Sequence, residues 1–131
     1  MLNEPTITQT VLFPDLADRP LTATVDRPHA SSDGGAILLQ GADRSLGLLA
    51  ALAATVPDAR ASARVTHGVG DLIAQRVFAI ACGHPDGNDA DRLADDPIHK
   101  LRLGRDPIDG RRLASQPTIS RFERTAAPRP R

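Results

Sequence analysis

The spacing of apolar and polar residues changes once along this chain, near Ala42. Before that point, TITQTVLF (6–13) and LTATVDR (21–27) are rich in Thr, Val and Ile and partly alternate, which predicts half-buried strands. The intervening PDLADRP, with two prolines and two aspartates, suits the turn of a hairpin. After SSDGG, the run AILLQG (36–41) reads as a short buried strand. From Ala42 the three- and four-residue spacing of helices takes over. Asp43 is placed to cap a helix through Val56, with Leu46, Leu49, Leu52, Ala53 and Val56 on one face and Pro57 ending it. Val65, Val69, Leu72, Ile73, Val77, Ile80 and Ala81 predict a second helix, whose glycines at 68 and 70 move its start toward Asp71. Gly83 suits the left-handed residue that closes it, and Pro85 prevents a restart.

Two shorter helices follow. Asn88 or Asp89 is placed to cap ADRLA, and Asp96 to cap PIHKLRL, with Pro97 in the first helical position and Gly104 at the end. The C-terminal stretch DGRRLASQPTISRFER divides into a helical piece GRRLA, a turn SQP, and a helix from Pro117 or Thr118 that Ser115 is placed to cap. The predicted class is therefore α+β: short N-terminal strands or a hairpin, then a bundle of short helices with a helix-turn-helix-like C-terminal end.

Length allows one small domain, taken as residues 1–124 with a disordered tail over 125–131. With only three phenylalanines and much alanine, the core is expected to be thin and helical. The single Cys82 lies in the apolar run VFAIACG, which fits a buried, inert thiol. The N-terminus lacks the pattern of a signal peptide and no stretch is long enough to span a membrane, so a cytoplasmic chain is expected. Charge is unevenly placed. Residues 1–96 hold 7 basic and 13 acidic side chains, and residues 97–131 hold 9 and 3, for net charges of −6 and +6. A basic end favours contact with a polyanion, or it serves solubility alone.

HPDGNDADRLADDP concentrates Asp86, Asp89, Asp91, Asp95 and Asp96 in fourteen residues. Acids at helix N-termini are stabilised by the partial positive charge there, which accounts for this cluster without a metal. The calcium-loop pattern is not met, since the glycine comes second and no closing glutamate follows. His67, His84 and His99 are spaced as structural or surface histidines rather than a ligand set. At the basic end, Ile119 and Phe122 point inward, leaving Thr118, Ser120, Arg121 and Arg124 outside with Arg111 and Arg112 just before them. Arginines and small hydroxyls on a second helix are what a DNA-reading helix uses. A terminal helix that merely packs its apolar pair is the competing reading.

SSDGGAILL, QRVFAIACGHPDGNDADRLADDP and LASQPTISRFE, in that order, resemble the N-terminal region of bacterial insertion-sequence transposases of the first DDE group. The resemblance runs from Ser31 to Glu123 and implies a role in DNA transposition. Full-length relatives bind the ends of their element and cut with three acids that hold divalent metal, magnesium among the candidates, on an RNase H-like core. Those acids lie C-terminal to the segment matching SQPTISRFE, so the resemblance assigns no catalytic role to the 86–96 aspartates. Two departures stand out: His84-Pro85 replaces an aromatic-led loop, and TAAPRPR follows Arg124 where a helix should continue.

The expectation is a truncated, non-enzymatic transposase fragment, with no cofactor of its own. It would contact DNA through Arg111, Arg112, Thr118, Ser120, Arg121 and Arg124, near the nucleoid. It would form homo-oligomers or pair with full-length copies, away from any membrane. Two alternatives stay open: a small metal-dependent nuclease built on the 86–96 aspartates, and a non-functional remnant.

Overall fold

The computed structural model describes residues 29–127, together with Asp15 and Pro20. Among them are six α-helices: α1 (Ile37–Leu46), α2 (Leu48–Ala54), α3 (Val69–Ala81), α4 (Ala90–Leu93), α5 (Pro97–Arg102) and α6 (Gln116–Ala126). Single 3-10 turns precede α1, α3 and α4. The described residues contain no strand, so the α+β expectation is replaced by an all-helical architecture. The hairpin read into 6–13 and 21–27 lies outside the described residues.

AILLQG is the instructive error. A short apolar run fits a buried strand or a helix equally well by periodicity alone. Here it continues into ADRSL as one helix, burying Ile37 (3% exposed) while Leu38 is left at 53%. The helix expected over 42–56 is likewise divided. Gly47 takes the left-handed conformation (φ 63°), where a side chain would be strained, and the chain bends by 66°. Asp43 does cap a helix, but from within α1: its Oδ1 accepts from the Leu49 amide of α2 at 2.9 Å.

Helix α3 forms close to where the spacing put it, from Gly68 to a left-handed Gly83 (φ 89°). It is the central helix, burying Leu72, Ile73, Gln75, Phe78 and Ala79. Asp96 caps α5 as expected, accepting from the Ile98 and His99 amides at 2.9 and 3.2 Å. Asp86, rather than Asn88 or Asp89, makes the cap one turn earlier, accepting from the Asn88 amide at 2.9 Å.

GRRLA is not helical. Its backbone is bonded elsewhere: the Leu113 amide donates to the Ala94 carbonyl at 2.9 Å. Arg105 donates to the carbonyls of Arg111 and Arg112 at 3.2 and 2.8 Å. Gln75 grips Ala114 at both ends, donating to its carbonyl at 2.8 Å and accepting from its amide at 3.0 Å. With those groups engaged, the first helix of a helix-turn-helix cannot form. The segment instead runs extended into α6, whose Ile119 (1% exposed) joins Leu72, Ala90 and Ala114 in the core with Phe122 against them. Helix α6 continues to Ala126, two residues into the stretch expected to be tail.

Gln75→Leu keeps the volume of this buried side chain but orphans both polar groups of Ala114. Each unsatisfied buried group costs about 1–3 kcal/mol. Urea denaturation should show a loss of about 2–4 kcal/mol. A loss below about half a kcal/mol would show that the clasp contributes little.

Candidate nucleic-acid interface and the histidine cluster

The aspartates of 86–96 are all engaged in the fold. Asp86 and Asp96 cap their own helices. Asp91 reaches across to α6, accepting from the Gln116 amide at 2.9 Å. That amide is one of the donors a helix start leaves unpaired, and Ser115, expected to cap α6, makes no such bond. Asp89 meets Arg92 at 3.3 Å, and Asp95 pairs with Arg112 at 2.8 Å and Lys100 at 3.9 Å. The acids therefore point at separate helix ends and cations, and this arrangement does not fit the shared divalent-metal site of a nuclease.

The six side chains expected to meet DNA are not brought to one surface. Arg112 is spent on Asp95 and the Asp91 carbonyl, and Arg111 donates to the Thr66 carbonyl at 2.8 Å. Ser120 accepts from the Gln116 side chain at 2.9 Å, and the Arg124 guanidinium donates back to the Ser120 carbonyl at 3.3 Å. Thr118 and Arg121 lie on a different stripe of α6. They line a cleft of about 780 Å³ between that helix and the segment around residues 56–67.

Opposite them, the cleft carries two arginines absent from the sequence expectation, Arg60 and Arg64. Ser115 and Thr125 add hydroxyls, and Phe122 an apolar wall. Arg60 is paired with Asp58 at 2.7 Å, and the guanidinium's hydrogen bond holds that carboxyl down to about 2. Among the described residues, the Arg64 guanidinium has no hydrogen-bond or ion-pair partner, and the Arg121 guanidinium bonds only to the Pro117 carbonyl, at 3.2 Å. No local sequence signal joins 60 and 64 to 118 and 121, because the contact spans the length of α3, α4 and α5.

A second constellation escaped the sequence reading altogether. Asp33 Oδ2 is met by His84 Nε2 at 3.0 Å and by His99 Nε2 at 2.8 Å, with His99 fully buried. On the far side of each ring stands an arginine: Arg92 at 3.0 Å from His84 Nδ1, and Arg102 at 2.8 Å from His99 Nδ1. Guanidinium groups only donate, so both Nδ1 atoms are acceptors and both Nε2 atoms carry the hydrogen given to Asp33. Burial pushes His99 below its ordinary value, against the pull of its hydrogen bond to Asp33. Burial also opposes ionisation of Asp33, but the hydrogen bonds from His99 and His84 outweigh it and hold that carboxyl below its usual value.

Donor atoms of Asp33, His84 and His99 lie within 4.8 Å of one another, close enough to bracket an ion. The arginines oppose it: a metal taking each Nε2 lone pair would move the ring hydrogen to Nδ1, where Arg92 and Arg102 offer donors rather than the acceptor that a metal-bound histidine needs. This is a structural junction. It ties the turn before α1 to α5 and to the loop after α3.

Fold and surface together define a small helical domain in which Lys100, Arg105 and Arg112 of the basic C-terminal part pair with aspartates from earlier in the chain, leaving a cationic cleft along α6. The chain belongs to the transposase family described as transposase DDE domain, group 1, which it matches over residues 13–130. Comparison with curated proteins gives no match, and comparison with solved structures gives none. DNA is in general the partner of a transposase. No single helix among the described residues is long and apolar enough to cross a membrane.

If Asp96 serves as a cap, Asp96→Ala should lower stability by about 1 kcal/mol. Chemical denaturation should give the same loss in EDTA and in magnesium. A loss seen only with magnesium would point to a metal role instead.

Proposed function

We propose that this chain serves DNA transposition as a binding and assembly unit, with no strand-cutting chemistry of its own. The single observation that carries the reading is the cleft along α6, where Arg64 and Arg121 face a shared space with no carboxylate partner among the described residues. Guanidinium groups without a carboxylate partner, beside hydroxyls, suit a phosphodiester backbone. The arginines supply charge and forked donors, and Thr118 and Ser115 add shorter hydrogen bonds. Arg60 joins them once a phosphate competes with the exposed Asp58, since such surface pairs are weak in water.

The non-catalytic half of the reading rests on the 86–96 aspartates, each of which has a partner in the fold that a metal would have to displace. The assembly half rests on exposed apolar side chains: Leu38, Leu46, Leu48 and Leu52 on α1 and α2 suit contact with other copies or with full-length transposase. The proposed location that goes with this reading is the bacterial cytoplasm, at the nucleoid, where DNA would be met.

Binding to duplex DNA should weaken steeply with salt, because each neutralised phosphate releases counterion. Replacing Arg64 and Arg121 together with alanine should reduce the slope of log affinity against log salt by about 2, roughly one for each phosphate left without its arginine. Arg112→Ala, which removes a partner of Asp95, should leave the slope nearly unchanged. Mobility shifts over a salt series make the measurement. Slopes equal in wild type and the double variant would overturn the cleft as the DNA surface.

A further inference from the structure

We propose that His99 is an acid-sensitive latch, holding the N-terminal end of α1 against α5 when neutral and releasing it when protonated. His99 Nε2 gives its hydrogen to Asp33 at 2.8 Å, and its Nδ1 accepts from Arg102 at 2.8 Å. A second proton would have to sit on Nδ1, directly facing an N–H of Arg102. Neither partner has room to turn away. The His99 side chain is 1% exposed, and the Arg102 guanidinium lies 3.9 Å over the Phe78 ring. The closed form therefore rejects the proton, and an opened form, with the ring in water, accepts it.

His84 makes the same pattern at a more open place, where its Nδ1 partner is Arg92, whose side chain is 61% exposed. Other charges facing the junction do not reverse the sign. Asp33, from the turn before α1, and Asp96, at the start of α5, favour a charged His99. Burial outranks both of them, and Arg102 adds its own opposition. Arg102 is held from its other side by Cys82 Sγ at 3.8 Å, and Arg92 is shared with Asp89 at 3.3 Å. The mobile part is defined by the same contacts: Asp33 immediately precedes the turn Gly34–Ala36 that leads into α1. Losing the latch frees that turn and the first residues of α1 before the core around α3 opens.

The sign of the pH dependence is fixed. A histidine held below its ordinary 6.5 adds stability that is complete above that value and is lost as pH falls through it. Hydrogen exchange on the full chain, corrected for intrinsic rates, should show the opening constant of the α1 amides rising up to about tenfold from pH 7.5 to 5.5. Amides at the centre of α3 should change less. His99→Gln offers an amide hydrogen to Asp33 and a carbonyl to Arg102 but cannot titrate, so its α1 protection should be the same at both pH values.

Equal protection of α1 at the two pH values in wild type would overturn the proposal, as would an undiminished acid response in His99→Gln. If that variant does not fold, ring nitrogen shifts of wild-type His99 decide. A neutral ring protonated on Nε2 while α1 is closed supports the latch, and a charged ring with α1 still protected sinks it.

Discussion

The interaction on which this structure depends is the two-point grip of the Gln75 side chain on the backbone of Ala114. Both residues are buried, Gln75 at 4% exposed and Ala114 at 0%, so neither end of the grip can be replaced by water without opening the core. It fixes the extended segment before α6 against the middle of α3. Leu113 then bonds to Ala94, and Asp91 takes up the start of α6. Ile119 and Phe122 close the core as a consequence of where the helix begins. The cationic cleft is the outer face of the same placement, because the turn of α6 that buries Ile119 presents Thr118 and Arg121 to the segment around 56–67.

The charge asymmetry of the chain acquires a different meaning in three dimensions. Net charges of −6 and +6 in the two parts of the sequence read as an invitation to a polyanion. Much of that charge is used internally. Arg105 reaches Asp71 at 3.1 Å, Arg112 reaches Asp95, and Arg102 completes the histidine junction. Traffic in the other direction exists too, since Glu123 pairs with Arg76 of α3. What remains for a partner is a smaller set, Arg64 and Arg121 first, drawn from both parts of the sequence.

What could be read from the sequence was what is local. The cap at Asp96, the left-handed Gly83 that closes α3 and the end of α5 by Gly104 follow from side chains and backbone within a few residues of one another, whereas the start of α3, expected toward Asp71, falls earlier, at Val69. AILLQG misled because an apolar run of six residues does not choose between strand and helix. GRRLA misled for a different reason: its helix propensity was overridden by bonds from its backbone to Gln75 and Ala94, both distant in sequence, and to the Arg105 side chain. The site shows the same division. That Thr118 and Arg121 lie off the buried stripe of α6 was legible from the helix itself, whereas the approach of Arg60 and Arg64 to them, and the pairing of Asp33 with His84 and His99, are long-range facts. No spacing rule joins residue 33 to residue 99. Family resemblance supplied the biological setting, DNA transposition, which no local pattern in the chain specifies.

Hydrogen exchange at the Ala114 amide tests the role of this grip most directly. If Gln75 holds the α6 arm in place, that proton, although it lies in no regular element, should exchange only through global unfolding and match the slowest amides of α3. Exchange orders of magnitude faster than those amides would show that the arm moves independently of the core, and the cleft built on it would not be a fixed surface.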